Sequence, residues 1–300
     1  MDPVATIRRF NRTFTPRIGA FDDSFLGSGL PLAAARLLFE VGPDGAVVRD
    51  LRTRLGVDSG YLSRLLRHLE EHGLVSVVDD PADRRRRLCR LTPRGERRWQ
   101  ELDGRSDEVV ADLLGPLTPS QRRRLVEALA TAELLIRAST VAFEEVDPNG
   151  AEATTALTVY FDELEERFPD GFDRSDALGE GASSMSAPRG VFLVAKAADG
   201  TTVGCGGVQP SGDTTAEVKR MWVDADWRGA GLGRRLLGEL EQACVARGYT
   251  QVVLDTNATL TEAIAMYESA GYHPIEQYND NPYAQRWFAK ALTVAAPGSS

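Results

Sequence analysis

Lysine is nearly absent from this chain: of 35 cationic residues, only Lys196, Lys219 and Lys290 are not arginine. Such a skew follows genomic composition as readily as function, so only local clusters of charge carry weight. Cysteine is equally sparse. Cys89, Cys205 and Cys244 are scattered and odd in number, which excludes a disulfide framework and makes a reducing compartment the expectation. No apolar run approaches the roughly 18 residues that a membrane span needs. Met1 is followed by Asp2-Pro3 rather than by a basic and then apolar leader, so the reading is a soluble, cytoplasmic protein. Internal repeats and low-complexity tracts are also missing.

What is present suffices for two cores: 300 residues, 42% of them hydrophobic. Charge divides unevenly between them. Residues 1–146 hold 23 basic and 22 acidic residues, residues 147–300 hold 12 and 22, and the net charge is −9. The acidic second part is excluded as a DNA binder. A near-neutral first part is not, because a stripe of cations rather than a domain total attracts phosphate. The polar, turn-rich stretch 144–150 is the expected linker, giving domains of 1–146 and 147–300.

Residues 216–237 read as a strand, a glycine-rich turn and a helix start. Around Arg228, Gly229, Ala230, Gly231, Leu232, Gly233 and Arg234, backbone can approach a ligand closely, and the helix behind offers unpaired N–H groups and the positive end of its dipole. A pyrophosphate suits such a site. The glycines fall at 229, 231 and 233 with Arg at 234, so the dinucleotide fingerprint fails, and no G-x-x-x-x-G-K pattern occurs.

The R-x-x-G-x-G pattern resembles the acyl-CoA loop of GNAT acetyltransferases. The strand Glu217 to Val223 resembles that family's fourth, 251–256 its fifth, and AMYESAGY at 265–272 its signature helix end. The resemblance covers roughly 155–292. It implies an α/β fold with a mixed, mostly antiparallel sheet splayed between its fourth and fifth strands, and acetyl-CoA as cosubstrate with no metal. It implies further that Arg228 to Arg234 hold the pyrophosphate, that Met221, Trp222 and Val223 pair with the pantetheine arm, and that Asn257 holds one of its amides. Tyr267 matches the family's general acid, and Glu217 matches the base of its histone-acetylating branch. Core packing for Tyr267, and a water chain as base in place of Glu217, stay open. The loop 278–283, with Tyr278, Asn281 and Tyr283, borders the acceptor in this family, and Phe168 and Phe172 are expected to face it. The family's first strand is not legible before Thr155; residues 141–146 are one candidate for it.

In the first part, apolar residues at 47, 48, 51 and 55 predict a helix that stops at Gly56. Asp58 then caps a second helix with Leu62, Leu65, Leu66 and Leu69 on one face, so 56–58 form the turn of a helix-turn-helix. A strand over 74–79, the run Arg84 to Arg87 and a return strand over 88–91 make a β-wing. The run DPADRRRRLCRLTPRG resembles the wing of MarR-type winged-helix regulators, over about 30–140. That implies a mainly α winged helix-turn-helix domain. It implies Ser59, Tyr61, Ser63, Arg64 and Arg67 in a major groove, and Arg84, Arg85 and Arg86 at the neighbouring minor groove of an inverted-repeat duplex. The alternative is that these arginines are solvated surface. Helices opened by Thr92-Pro93 and by the capping box Thr118 to Gln121 reach about 114 and 141, and the resemblance implies that they pair in a homodimer. His68 and His72 fit H-x-x-E-H, but the third candidate ligand, His273, lies in the other domain, so a solvated helix end is the better reading.

The sequence thus points to a DNA-binding regulator joined to an N-acetyltransferase acting on a small amine or amino-acid-like acceptor. Two alternatives stay open: a repressor whose second domain only senses acetyl-CoA or a metabolite, and a protein-lysine acetyltransferase.

Overall fold

The computed structural model describes residues 2–81, 83, 85–168 and 181–293. The chain separates into two compact units, residues 1–129 and 130–300. The division falls inside a helix, upstream of the boundary at 146 and 147 expected from the sequence.

The first unit begins with α1 (Pro3–Phe14), α2 (Leu32–Val41), β1 (Ala46–Val47), α3 (Val48–Leu55) and α4 (Ser59–Glu71). Then come β2 (Val75–Asp79), β3 (Arg87–Leu91), α5 (Pro93–Leu114) and α6 (Pro119–Ser139), the last shared with the second unit. The capping chemistry holds. The Asp58 carboxylate accepts from Tyr61 N at 2.8 Å and starts α4, and Thr92 Oγ1 accepts from Gly95 N at 3.0 Å and starts α5. At Thr118 the box is reciprocal: its N–H donates to Gln121 Oε1, and its hydroxyl accepts from Gln121 N. Leu62, Leu66 and Leu69 of α4 are buried against Leu37, Leu38 and Leu51, and burying a leucine in full stabilises by about 2 kcal/mol. The sheet order is β1-β3-β2. The two residues of β1 pair with Leu88 and Cys89, so α3 starts one residue later than the periodicity suggests.

In the second unit follow β4 (Ala142–Glu145), α7 (Ala151–Arg167), the short α8 (Gly181–Ser184), β5 (Val191–Lys196), β6 (Thr202–Pro210) and β7 (Thr215–Val223). The chain continues through α9 (Leu232–Ala246), β8 (Gln251–Thr256), α10 (Thr261–Ser269), β9 (His273–Pro274) and β10 (Arg286–Ala291). The seven strands run in the order β4-β5-β6-β7-β8-β10-β9, with only β7 and β8 parallel. One face carries α7, whose Leu157, Phe161 and Leu164 pack on Phe192, Val194 and Cys205. The other carries α9 and α10, through Leu236, Leu237, Leu240 and Tyr267 on Val218, Leu254 and Phe288.

The linker reading fails at Glu144 and Glu145. Both belong to β4, paired with Val194 and Leu193, which makes β4 the missing first strand. Lys196 ties it down by an ion pair to Glu144 at 2.7 Å, and Arg247 does so by one to Glu145 at 3.0 Å.

Pairing of β7 with β8 ends at Val218 and Leu254, although β7 continues to Val223 and β8 to Thr256. The register of β7 on β6 also slips, because Gly207 faces Lys219 while Cys205 faces Trp222. Gly206 therefore opposes both Arg220 and Met221. This is a β-bulge, and Arg220 takes the left-handed φ of +55° that such a bend requires. The expected splay is thus present, with a bend at its mouth.

Candidate functional site

Two cavities share a wall in the second unit. The first, of about 340 Å³, is bordered by Phe161 of α7, Lys219 and Arg220 of β7, Asp255 of β8, and Asn281 and Tyr283 of the loop before β10. The second, of about 560 Å³, is bordered by Trp222, Val223, the loop from Arg228 to Gly233, and Met266 of α10. Tyr160, Leu164, Met221, Leu260, Ala263 and Tyr267 border both and mark where the two join.

The glycine loop closes the second cavity. Gly229 and Gly231 take left-handed φ values of +83° and +75°, and an added Cβ at either would meet nothing within 4 Å. Backbone conformation, not crowding by protein, selects glycine there, and the open space is available to a ligand. No side chain caps α9, so the N–H groups of its first turn are left as donors at the cavity wall.

Arg228 and Arg234 line this cavity but spend their guanidinium groups on the protein. Arg228 binds the Glu163 carboxylate at 2.6 Å and donates to the Val223 carbonyl at 2.9 Å. Arg234 donates to Ser269 Oγ and the Ser269 carbonyl at 3.0 and 2.9 Å, closing the end of α10. The arginines shape the loop, and the backbone donors of the helix start are left to face the cavity. Glu163, on α7, escaped the sequence reading. Burial works against its charge, yet hydrogen bonds from Arg228, Trp222 and Arg167 outweigh that cost and hold its carboxyl below the ordinary range. It thereby fastens α7 to β7 and to the glycine loop.

Tyr267 is 6% exposed, sits at the junction of the cavities, and directs its hydroxyl to Met221 Sδ at 4.0 Å. Burial, with the Asp255 charge adding to it, pushes its phenol up, so the proton stays on at neutral pH. Its ring also packs on Tyr272 and Phe288, so core contact and site contact coexist in one residue.

Glu217 borders neither cavity. Its carboxylate accepts from Tyr278 Oη at 2.7 Å, Gln209 Nε2 at 2.8 Å and Asn279 Nδ2 at 3.1 Å, and pairs with Lys219 at 2.8 Å. The first cavity is instead bordered by the Asp255 carboxylate. This carboxylate is held by Lys219 Nζ at 2.9 Å, Asn279 Nδ2 at 2.8 Å and Asn281 Nδ2 at 2.9 Å. The signal available in the sequence was a lone acid directly after the apolar run Val252-Val253-Leu254.

Among the acceptor residues, Phe168, Asn281 and Tyr283 line the first cavity, with the rings of Phe168 and Tyr283 6.1 Å apart. Tyr278 does not; its hydroxyl is turned to Glu217. Phe172 lies outside the described residues. Asn257, expected beside the pantetheine arm, borders the first cavity and not the second, with its amide donating to the Tyr283 carbonyl at 2.9 Å. Met221, Trp222 and Val223 all line the second cavity, as does the glycine loop at Gly229, Gly231, Leu232 and Gly233. Ala230 is in that loop without bordering the cavity.

On the first unit, Ser59, Tyr61, Ser63, Arg64 and Arg67 are all exposed along one side of α4. The Arg64 guanidinium lies 5.6 Å from the centre of the Tyr61 ring. At the wing, the Arg85 N–H donates to Asp83 Oδ1 and Arg86 reaches Asp80 at 3.9 Å; Arg84 lies outside the described residues. The rings of His68 and His72 lie 4.3 Å apart, tilted by 46°, and no cluster of metal-binding side chains occurs among the described residues. None of the described helices is long and apolar enough to cross a membrane.

Residues 155–272 match the model of the acetyltransferase (GNAT) family, and residues 28–86 that of the MarR family. An uncharacterised N-acetyltransferase of Schizosaccharomyces pombe is 38% identical over 108 residues, 36% of this chain and 66% of that protein. An uncharacterised HTH-type transcriptional regulator of Bacillus subtilis is 32% identical over 81 residues, 27% of this chain and 49% of that protein. The chain therefore spans less than two thirds of the length of these curated relatives. A crystal structure of an acetyltransferase from Streptococcus agalactiae aligns with 51% of this chain and 99% of its own, at 21% identity and a TM-score of 0.45. The chain is accordingly a fusion, with a MarR-family region over residues 28–86 and a GNAT-family acetyltransferase region over residues 155–272.

Proposed function

We propose that the second unit transfers an acetyl group from acetyl-CoA to a small amine, and that the first binds duplex DNA as a homodimer. The observation that carries the enzymatic reading is the meeting of two cavities at a protonated phenol, Tyr267. The residues fit the donor. The open loop at Gly229 and Gly231 and the uncapped start of α9 receive a pyrophosphate, and the free edge of β7 from Met221 to Val223 receives a peptide-like arm. The thioester so placed supplies an activated acetyl carbon.

The chain's own groups then divide the proton work. Asp255 faces the first cavity as an oriented carboxylate and takes the proton that the attacking amine must lose. As the C–N bond forms and the C–S bond breaks, Tyr267 holds the proton that a departing thiolate needs. Glu217 serves as an anchor that fixes Lys219 and the loop at Tyr278 and Asn279.

DNA binding is supported by the exposed polar and cationic side of α4 and by the wing. The homodimer is supported by α1, in which no residue is buried while Val4, Ile7 and Phe10 stand exposed. The deciding experiment is CoA release with acetyl-CoA and a panel of amines, amino acids and lysine peptides. Turnover with small amines supports the reading. Acetyl-CoA binding without turnover on any member sinks it in favour of a sensor, and turnover on lysine peptides alone favours a protein acetyltransferase.

A further inference from the structure

Two phenols border both cavities, and they come from opposite faces of the sheet. Tyr267 belongs to α10 and packs in the core with α9, whereas Tyr160 belongs to α7 on the other face. Met221, beyond the last β7 residue paired to β8, borders both cavities with them. The spacing along α7 accounts for the place of Tyr160. Ala153, Ala156, Leu157, Phe161 and Leu164 are buried on the sheet, and Tyr160 flanks that stripe between Leu157 and Leu164, three and four residues away. Its ring lies 5.3 Å from that of Phe161. One turn further on, Glu163 accepts from Trp222 Nε1 at 2.9 Å and binds Arg228, so this part of α7 is fastened to β7 and to the glycine loop.

The two hydroxyls differ in what they touch. That of Tyr267 is directed to Met221 Sδ. That of Tyr160, a half-buried residue, makes no hydrogen bond to another described residue. Tyrosine hydroxyls in such surroundings ordinarily find a partner, so this one is a donor kept for whatever enters the junction. Burial, and after it the charges of Tyr267, Cys205 and Asp255, pushes the Tyr160 phenol up, so it remains a donor at neutral pH. The chemistry at the junction calls for two such groups. Acetyl transfer places negative charge first on the carbonyl oxygen and then on the sulfur, two atoms bonded to the same carbon. Tyr267 serves the sulfur, and Tyr160 stands across the junction from it.

We infer that Tyr160 donates a hydrogen bond to the acetyl carbonyl oxygen and is a second catalytic residue, an assignment that rests on the acetyl-transfer reading above. Its phenol keeps its proton throughout. Tyr160 holds the oxygen while the carbonyl π pair rests there, as the amine lone pair forms the C–N bond and Asp255 takes the amine's proton. Tyr267 gives its proton to the sulfur as the pair returns and the C–S bond breaks. A donor fixed in advance on a fastened helix costs no reorganisation at the moment the charge appears.

The test reads the carbonyl directly. Acetyl-CoA with an isotopically labelled acetyl carbonyl is bound to the full-length protein without an acceptor, and infrared difference spectra locate its C=O stretch. A hydrogen bond to the oxygen lowers that frequency, so the bound band should lie below the free one. Tyr160→Phe should return it toward the free position, and Tyr267→Phe should leave it where the wild type has it. CoA release at saturating amine should fall in Tyr160→Phe by about a hundred- to a thousand-fold, the effect of removing one such donor, with the KM for the amine nearly unchanged. Melting curves show whether that variant is folded, and Tyr160→Leu takes its place if it is not. A wild-type band at the free position, or one lowered equally in the variant, would overturn the assignment and leave the acetyltransferase standing. A raised KM at unchanged kcat would likewise overturn it, making Tyr160 an acceptor contact. A band lowered through Tyr160 without CoA release from any amine would retain the hydrogen bond and remove the enzymatic reading instead.

Discussion

In the proposed mechanism Tyr267 serves packing and chemistry through different atoms, and a single substitution separates them. Its ring touches Tyr272 and Phe288, while its hydroxyl points at Met221 Sδ and the cavity junction. Tyr267→Phe keeps the ring and removes the proton. Melting temperature and acetyl-CoA affinity should therefore hardly move, while turnover at saturating acceptor falls by about two to four orders of magnitude. Near wild-type turnover in the variant would return the residue to a packing role. Among the carboxylates, Asp255→Ala should lower kcat/KM for the acceptor, whereas Glu217→Gln keeps its shape and should act mainly by loosening Lys219 and the loop at 278–279, with a loss of thermal stability that a melting curve reads. These side-chain roles were only partly legible in the sequence. The order of motifs placed Tyr267 and the glycine loop, but nothing in a string of residues says that Glu217 is covered by Tyr278 and Asn279 while Asp255, a strand away, faces the cavity.

Elements were legible in proportion to their length and to the strength of their caps. The helices α5 and α6 start where Thr92 and Thr118 predict, and β8 spans 251–256 as read. The two-residue β1 was not legible and the four-residue β4 only as one candidate over 141–146, because neither is long enough to display alternation, and Glu144 and Glu145 are exposed charges on an edge strand. The bulge at Arg220 was invisible for a different reason: it depends on which residue of β6 opposes it. At the glycine loop, element geometry and ligand binding make one prediction. Gly231→Asp introduces a side chain at a φ of +75° and a negative charge at the start of α9, where the proposed pyrophosphate would sit. Acetyl-CoA should raise the melting temperature of the wild type and not of this variant. An equal rise in both would move the pyrophosphate away from the loop. The variant's own stability in the absence of ligand measures the backbone strain separately.

At the scale of the whole molecule, what remains uncovered is as informative as what is buried. The first unit presents Ile7 at 62% and Phe10 at 47% exposure on α1, a three-residue spacing that forms one apolar stripe open to solvent among the described residues. A second copy of the chain is the occupant expected from the MarR-family region, and two copies are what a two-fold operator requires. If α1 seals the proposed dimer, Ile7→Asp combined with Phe10→Asp should give a monomer by light scattering where the wild type gives a dimer. DNA affinity should fall with it, because each monomer can grip one half-site only. CoA release by the second unit should persist, since none of the residues at the two cavities lies on α1. The wing makes an independent prediction on the same DNA. Arg85→Ala with Arg86→Ala should leave the dimer intact and weaken binding to every sequence alike. The plot of log affinity against log salt should flatten by about 0.9 for each phosphate that the wing no longer neutralises. A monomeric variant with undiminished affinity would remove the dimer from the binding mechanism, and an unchanged slope would remove the wing.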